Sequence, residues 1–128
     1  MTVHHVKCWP KHFQAVWDGA KTAELRRDDR GYAVDDILVQ HEWDREAYDE
    51  AWREEERLLV GDPISRPDVW NAADDRARMA AYTGRQVIHR ISHILRGGPW
   101  LVEGYAMLSV AAPVRLLNHF PPPEEAAP

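Results

Sequence analysis

The chain has 128 residues, 45% hydrophobic and 29% charged, with a net charge of −5. These values fit one globular domain large enough for its own core, and no apolar run approaches the length of a membrane span, so no membrane-spanning helix is expected. A single cysteine, Cys8, rules out an internal disulfide, and no apolar run follows Met1; the expected setting is cytoplasmic, without a signal peptide.

Val3 to Trp9, with Val3 and Val6 β-branched and a proline to follow, reads as a first strand. Pro10 suits the opening turn of a helix, where its missing N–H is not needed. Phe13, Val16 and Trp17 then recur at helical spacing, and Gly19 is placed to end that helix in a left-handed cap. Lys21 to Arg27 predicts a second strand and Asp28-Asp29-Arg30-Gly31 a turn. Asp36 to Trp43 alternates, with Ile37, Val39, His41 and Trp43 on one face, as in a half-buried strand. From Asp44 to Leu59 the period becomes helical among many charges, Gly61-Asp62-Pro63 breaks it, and Pro67 to Ala81 offers a second, alanine-rich helix. Between Glu42 and Arg57 stand eight acidic and three basic residues, so this segment carries the whole net charge. Gly84 reopens strand chemistry with Val87, Ile88, Ile91 and Ile94, ended by Gly97-Gly98-Pro99, and Val102 to Ala112 predicts a last strand with Ala106, Leu108 and Val110 on one side. Pro121-Pro122-Pro123 opens a frayed tail. The fold class expected is α+β: a small, partly closed β-barrel of about five strands, with a helix after the first strand and a helical insertion.

The second strand carries the densest chemistry. Side chains alternate along a strand, so Thr22, Glu24 and Arg26 share one face, with Lys21 at the strand's mouth and Ala23 and Leu25 opposite. A hydroxyl, a carboxylate, a guanidinium and an ammonium together form a recognition surface for a polar or anionic ligand; a solvated strand face with a Glu24–Arg26 ion pair is the alternative. Arg30 offers a second phosphate contact or a solvated turn. Trp9 offers a stacking face for a base or, the favoured reading, core packing against Phe13 and Trp17. Arg85, His89, Arg90, His93 and Arg96 form a basic run without a carboxylate, read as ordinary polar faces around buried isoleucines. His4 and His5 point to opposite sides of a strand, and His89 and His93 match a zinc pair only on a helix, so neither a metal nor a cofactor is expected. Cys8 reads as a small buried residue.

The run Lys7-Cys8-Trp9-Pro10, then Gly19-Ala20-Lys21-Thr22-Ala23-Glu24-Leu25-Arg26 and Asp29-Arg30, resembles the ASCH domain of the PUA-like superfamily. It is most similar to the subfamily DUF3850, whose pattern Gly-x-Lys-x-x-Glu-x-Arg is met by Gly19, Lys21, Glu24 and Arg26. Asp36-Ile37-Leu38, Glu42-Trp43-Asp44, Tyr82-Thr83-Gly84-Arg85, Glu103-Gly104-Tyr105 and Leu108-Ser109-Val110 extend the likeness over residues 4–44 and 82–112. The resemblance implies a PUA-like barrel over residues 1–120, with a cleft between barrel and first helix that receives RNA. The insertion 45–81 and a disordered tail 121–128 depart from that plan. One ASCH branch hydrolyses N4-acetylcytidine with a lysine, a threonine three residues later and a further glutamate. Lys21 matches the lysine, Glu24 stands where the threonine would, and the glutamate has no clear counterpart.

The leading expectation is RNA or nucleotide binding through Trp9, Lys21, Thr22, Glu24, Arg26 and Arg30. One alternative is a hydrolase acting on a modified nucleoside or RNA, with Lys21 and Glu24 catalytic. The other is a protein-interaction module working through residues 45–81. That insertion is expected to be removable without unfolding the barrel.

Overall fold

A computed structural model of the chain describes residues 1–59 and 67–122. In chain order the elements are β1 (Val3–Cys8), α1 (Pro10–Trp17), β2 (Ala23–Arg27), β3 (Ile37–Trp43), α2 (Arg45–Leu59), α3 (Pro67–Ala80), β4 (Tyr82–Arg96) and β5 (Tyr105–Leu116). The Gly61-Asp62-Pro63 helix breaker lies outside the described residues, as does the tail from Pro123 on. Pro121, at the start of that tail, is buried. No helix among the described residues is long and apolar enough to cross a membrane.

The five strands form one sheet in the order β1-β3-β4-β5-β2. β1 runs parallel to β3, and the other pairs are antiparallel. The register of β4 on β5 shifts twice, between Ile88 and Arg90 and between Ile91 and His93. Such bulges add bend and twist. The sheet curls into a half-barrel whose edge strands β1 and β2 approach each other, so that Arg26 reaches across to donate to the Lys7 carbonyl at 3.1 Å. Arg30 likewise donates to the His5 carbonyl at 2.6 Å.

Val6, Leu38, Ile91, Ala106, Leu108 and Val110 fill the hollow of the curl with Tyr32. Cys8 and Val87 pack against Phe13 and Val16 of α1. Pro10 opens α1 and Gly19, at φ +80°, follows its end as expected. The third cluster, Trp43, Ala81 and Tyr82, is flanked by Tyr48 and Met79 and lies beneath the insertion. α2 buries none of its residues, whereas α3 buries Ala73 and Ala77.

Three expectations need correction. β3 is buried on both faces, not one, because it lies between β1 and β4 and is covered by α1 and by the Trp43 cluster. β2 starts at Ala23, with Lys21 held outside it by its N–H donating to the Ala15 carbonyl at 3.0 Å. The basic run of β4 does not stand without carboxylates. Arg85 pairs with Glu42, Arg90 with Asp35 and Arg96 with Asp28. The bulge near Ser92 also breaks the simple alternation, so His89 is buried while His93 is exposed.

Candidate functional site: a cleft at the barrel seam

Pro10 starts α1 directly after β1, with Trp9 extended at φ −66°, ψ 148° as the cap residue. Closing the helix at Gly19 returns the chain toward the seam, and β2 then runs along β5 as the far edge of the sheet. Between β1, the start of α1 and β2 lies a cleft of about 580 Å³. Its polar centre is Glu24, only 3% exposed. Lys21 Nζ is 2.9 Å from Glu24 Oε1, and Arg26 lies 3.4 Å from Glu24 Oε2. The Lys21 contact is a close charge pair without the alignment of a hydrogen bond, so Oε1 is buried without a hydrogen-bond partner among the described residues. Arg26 Nε is in the same condition. Buried polar atoms are normally satisfied by protein or water, so this cluster holds unused hydrogen-bonding capacity at the cleft.

Lys21, Glu24 and Arg26 therefore converge as the spacing predicts. Trp9 joins them at the rim, 62% exposed, while Phe13 packs against Trp17 with tilted rings 6.0 Å apart without it. The expected core packing of Trp9 is thus overturned, because the extended cap turns its ring away from the buried stripe of α1. Thr22 and Arg30 lie outside the cleft lining. Thr22 is exposed and precedes the regular strand, so the alternation that grouped it with Glu24 does not reach it. Arg30 is drawn to the β1 edge instead.

The sequence reading missed Cys8 and His12, which also line the cleft. Cys8 is next to Trp9 and His12 three residues after it, and that local clustering was the available signal. Burial, reinforced by the Glu24 charge, pushes the Cys8 thiol up to about 11, so it is protonated near neutrality and poorly suited as a nucleophile. Lys7 also borders the cleft, but its ammonium sits over the Trp43 ring, 4.9 Å from the centroid. Burial, then the neighbouring Arg78 charge, lowers its pKa.

The motifs Glu42-Trp43-Asp44 and Tyr82-Thr83-Gly84-Arg85 meet outside the cleft. Glu42 accepts from the Thr83 hydroxyl at 2.7 Å and from Arg85 at 3.0 and 2.8 Å. Burial pushes the Glu42 carboxyl upward, but these hydrogen bonds and the Arg85 charge outweigh it and leave it below its usual value. The Arg85 guanidinium lies over the rings of Phe13 and Trp17 at 5.1 and 4.9 Å. This clamp fastens α1 to the sheet and so holds one wall of the cleft in place.

Over 41 residues the chain is 46% identical to a protein of Escherichia phage P2 described as "Uncharacterized 12.9 kDa protein in GpA 3'region". That match covers 32% of this chain and only 38% of the phage protein. Residues 3–110 match the family DUF3850, a domain of unknown function, and the chain belongs to that family.

Proposed function

We propose that this domain is an ASCH-like member of the PUA-like superfamily and that its seam cleft binds RNA or a nucleotide. The observation that carries the reading is the convergence of Lys21, Glu24 and Arg26 in a cleft rimmed by an exposed tryptophan, in a chain whose acidic excess is concentrated in another segment. In this reading Arg26 and Lys21 donate to phosphate or base carbonyls, and the Glu24 carboxylate accepts from an exocyclic amine. Trp9 supplies a stacking face, worth about 1–3 kcal/mol per base in single-strand binders.

A hydrolase reading draws on the same Lys21–Glu24 contact. It needs a nucleophile, a base and an oxyanion donor around one point. Against it, Lys21 is ion-paired with Glu24 and the Cys8 thiol is protonated near neutrality. A partner-binding role for 45–81 has less support, since Trp52 and Trp70 pack on each other at 5.8 Å rather than offering a bare aromatic face.

The test is fluorescence anisotropy with short single-stranded RNAs across a salt series, beside a turnover assay on modified nucleosides. Lys21→Ala is expected to weaken binding about tenfold, as loss of one charge-assisted hydrogen bond does, and to reduce the salt slope by about 0.7. Equal binding by wild type and variant would refute the cleft assignment.

A further inference from the structure

The seam cleft does not end at Glu24. Leu25 points to the opposite face of β2 and is 53% exposed, yet it lines both the cleft and a second hollow of about 370 Å³. That hollow is walled by Trp100, Leu101, Val102 and Tyr105, from the β4–β5 connection and the start of β5. Trp100 is 95% exposed and Val102 71%. An indole left almost wholly in water beside further exposed apolar side chains is costly and marks an interaction surface. Along the same face of β2, two residues beyond Leu25, stands exposed Arg27, opposite Tyr105 in the strand register. The connection is anchored rather than loose: the Asp28 N–H donates to the Gly104 carbonyl at 2.8 Å, and the Tyr105 N–H to the Val102 carbonyl at 3.2 Å.

We infer that this hollow is a second base-stacking subsite, so that the ligand is a single-stranded oligonucleotide of several residues rather than a lone nucleoside or nucleotide. The inference rests on the cleft being a nucleic-acid site. One base occupies the cleft at Glu24 and Trp9, the strand passes over Leu25, and a neighbouring base stacks on Trp100 and Tyr105 with Arg27 beside the intervening phosphate. Three features favour a nucleobase over a protein segment. The hollow adjoins the cleft at Leu25, which lines both. Its walls combine two aromatic rings with aliphatic side chains, the surface on which bases of any sequence stack. Exposed Arg27 adjoins it opposite Tyr105, and although Glu103 stands in the same connection, the acidic excess of the chain lies elsewhere, between Glu42 and Arg57.

The experiment uses the full chain with a fluorescein-labelled random-sequence RNA hexamer, in competition with unlabelled dinucleotides and nucleoside monophosphates. Wild type should bind the hexamer at least tenfold more tightly than a monophosphate. Trp100→Ala should lose about tenfold on the hexamer and nothing on monophosphates, Trp100→Phe should recover most of that loss, and Lys21→Ala should weaken both ligands. Because Trp100 is exposed, its replacement does not threaten the fold. If Lys21→Ala weakens both ligands while Trp100→Ala changes neither, the cleft reading stands and the second subsite is overturned. A hexamer bound no better than a monophosphate overturns it too. If no RNA or nucleotide binds, or Lys21→Ala is without effect, the cleft reading itself fails and takes the subsite with it. If Trp100→Ala leaves RNA affinity intact but abolishes a self-association seen by sedimentation, the hollow is a protein contact and the inference is wrong.

Discussion

Glu24 is a carboxylate taken inside the seam of a half-barrel, which is costly unless cations accompany it. Lys21 and Arg26 do so, and each keeps part of its surface open to the cleft, so ligand groups can compete for them without unfolding anything. The spacing of Glu24 and Arg26 made their shared face legible. Which face turns inward was not, since hydrophobicity alone would bury Leu25 and expose Glu24, and the curl does the reverse. The inner face holds Arg26 because the Lys7 carbonyl awaits it there, a contact between residues 19 apart that no local pattern announces. His5 and His41 were equally hidden. Their ring nitrogens lie 2.8 Å apart, and His41 is 2% exposed. Burial, with His5 beside it, lowers the His41 pKa from 6.5 to about 4. The unfolded chain therefore binds this proton more readily than the folded one. Stability is complete well above pH 6.5 and falls as pH drops toward 4, by roughly 3 kcal/mol. His89, lowered chiefly by burial, acts in the same direction, whereas the lowered carboxyls Asp36 and Glu42 begin to lose their contribution only at the acid end of this window, as pH falls through their ordinary values of 3.8 and 4.5. Urea midpoints between pH 4.5 and 7.5 should show the fall in wild type and a flatter curve for His41→Phe. Parallel curves would assign the loss to other groups.

Among the elements, the strands were legible because alternation and punctuation agree: Gly97-Gly98 ends β4, and Ala106, Leu108 and Val110 of β5 all face the core. The helical insertion was equally plain from its change of period. What could not be read is how the insertion touches the barrel, because the contacts are few and distant in sequence. Trp43 donates from Nε1 to the Arg78 carbonyl at 3.2 Å and stacks near Tyr48 at 5.6 Å. The Tyr48 hydroxyl donates to Asp74 at 2.5 Å, and Arg78 holds the same carboxylate at 2.6 Å. Asp44, the residue before α2, caps it by accepting from the Glu46 N–H at 3.0 Å. The two clusters that fill the curl and seat α1 contain no residue of α2 or α3. Replacing 45–80 with a short glycine-rich turn should therefore leave a folded barrel. Uncovering Trp43 lowers its stability by roughly 2–3 kcal/mol, the worth of a large buried side chain. Calorimetry should record a single cooperative transition at lower temperature. A broad, non-cooperative melt would mean that the insertion is part of the folding unit.

At the scale of the whole molecule the defining choice is how an open sheet closes. β1 and β2 are the two edges, and two guanidiniums join them where backbone pairing does not: Arg26 to the Lys7 carbonyl, and Arg30, from the loop after β2, to the His5 carbonyl. Carbonyls two residues apart lie on the same edge of a strand, so both staples act on the outer edge of β1 and also guard it against edge-to-edge association. Side-chain bridges leave room for a cleft that a continuous ladder would have filled, and in the proposed reading this ties closure to ligand binding through Arg26, which borders the cleft and joins the edges. Arg30 lines no part of the cleft and so reports on closure alone. Arg30→Ala is expected to cost about 1 kcal/mol, the lower range for a hydrogen bond from a charged donor that is exposed. Its sharper signature is local. Hydrogen exchange should accelerate about fivefold, the equivalent of that 1 kcal/mol, in β1 and the loop after β2, while amides of β4 and β5, deep in the sheet, keep their protection. Arg26→Ala should open the same strands and also weaken ligand binding, and the double variant should cost less than the sum of the two, because each bridge holds the edges in place for the other and either single loss already weakens both. An acceleration spread evenly over β4 and β5 would show that Arg30 supports the fold as a whole and that the seam is held by something else.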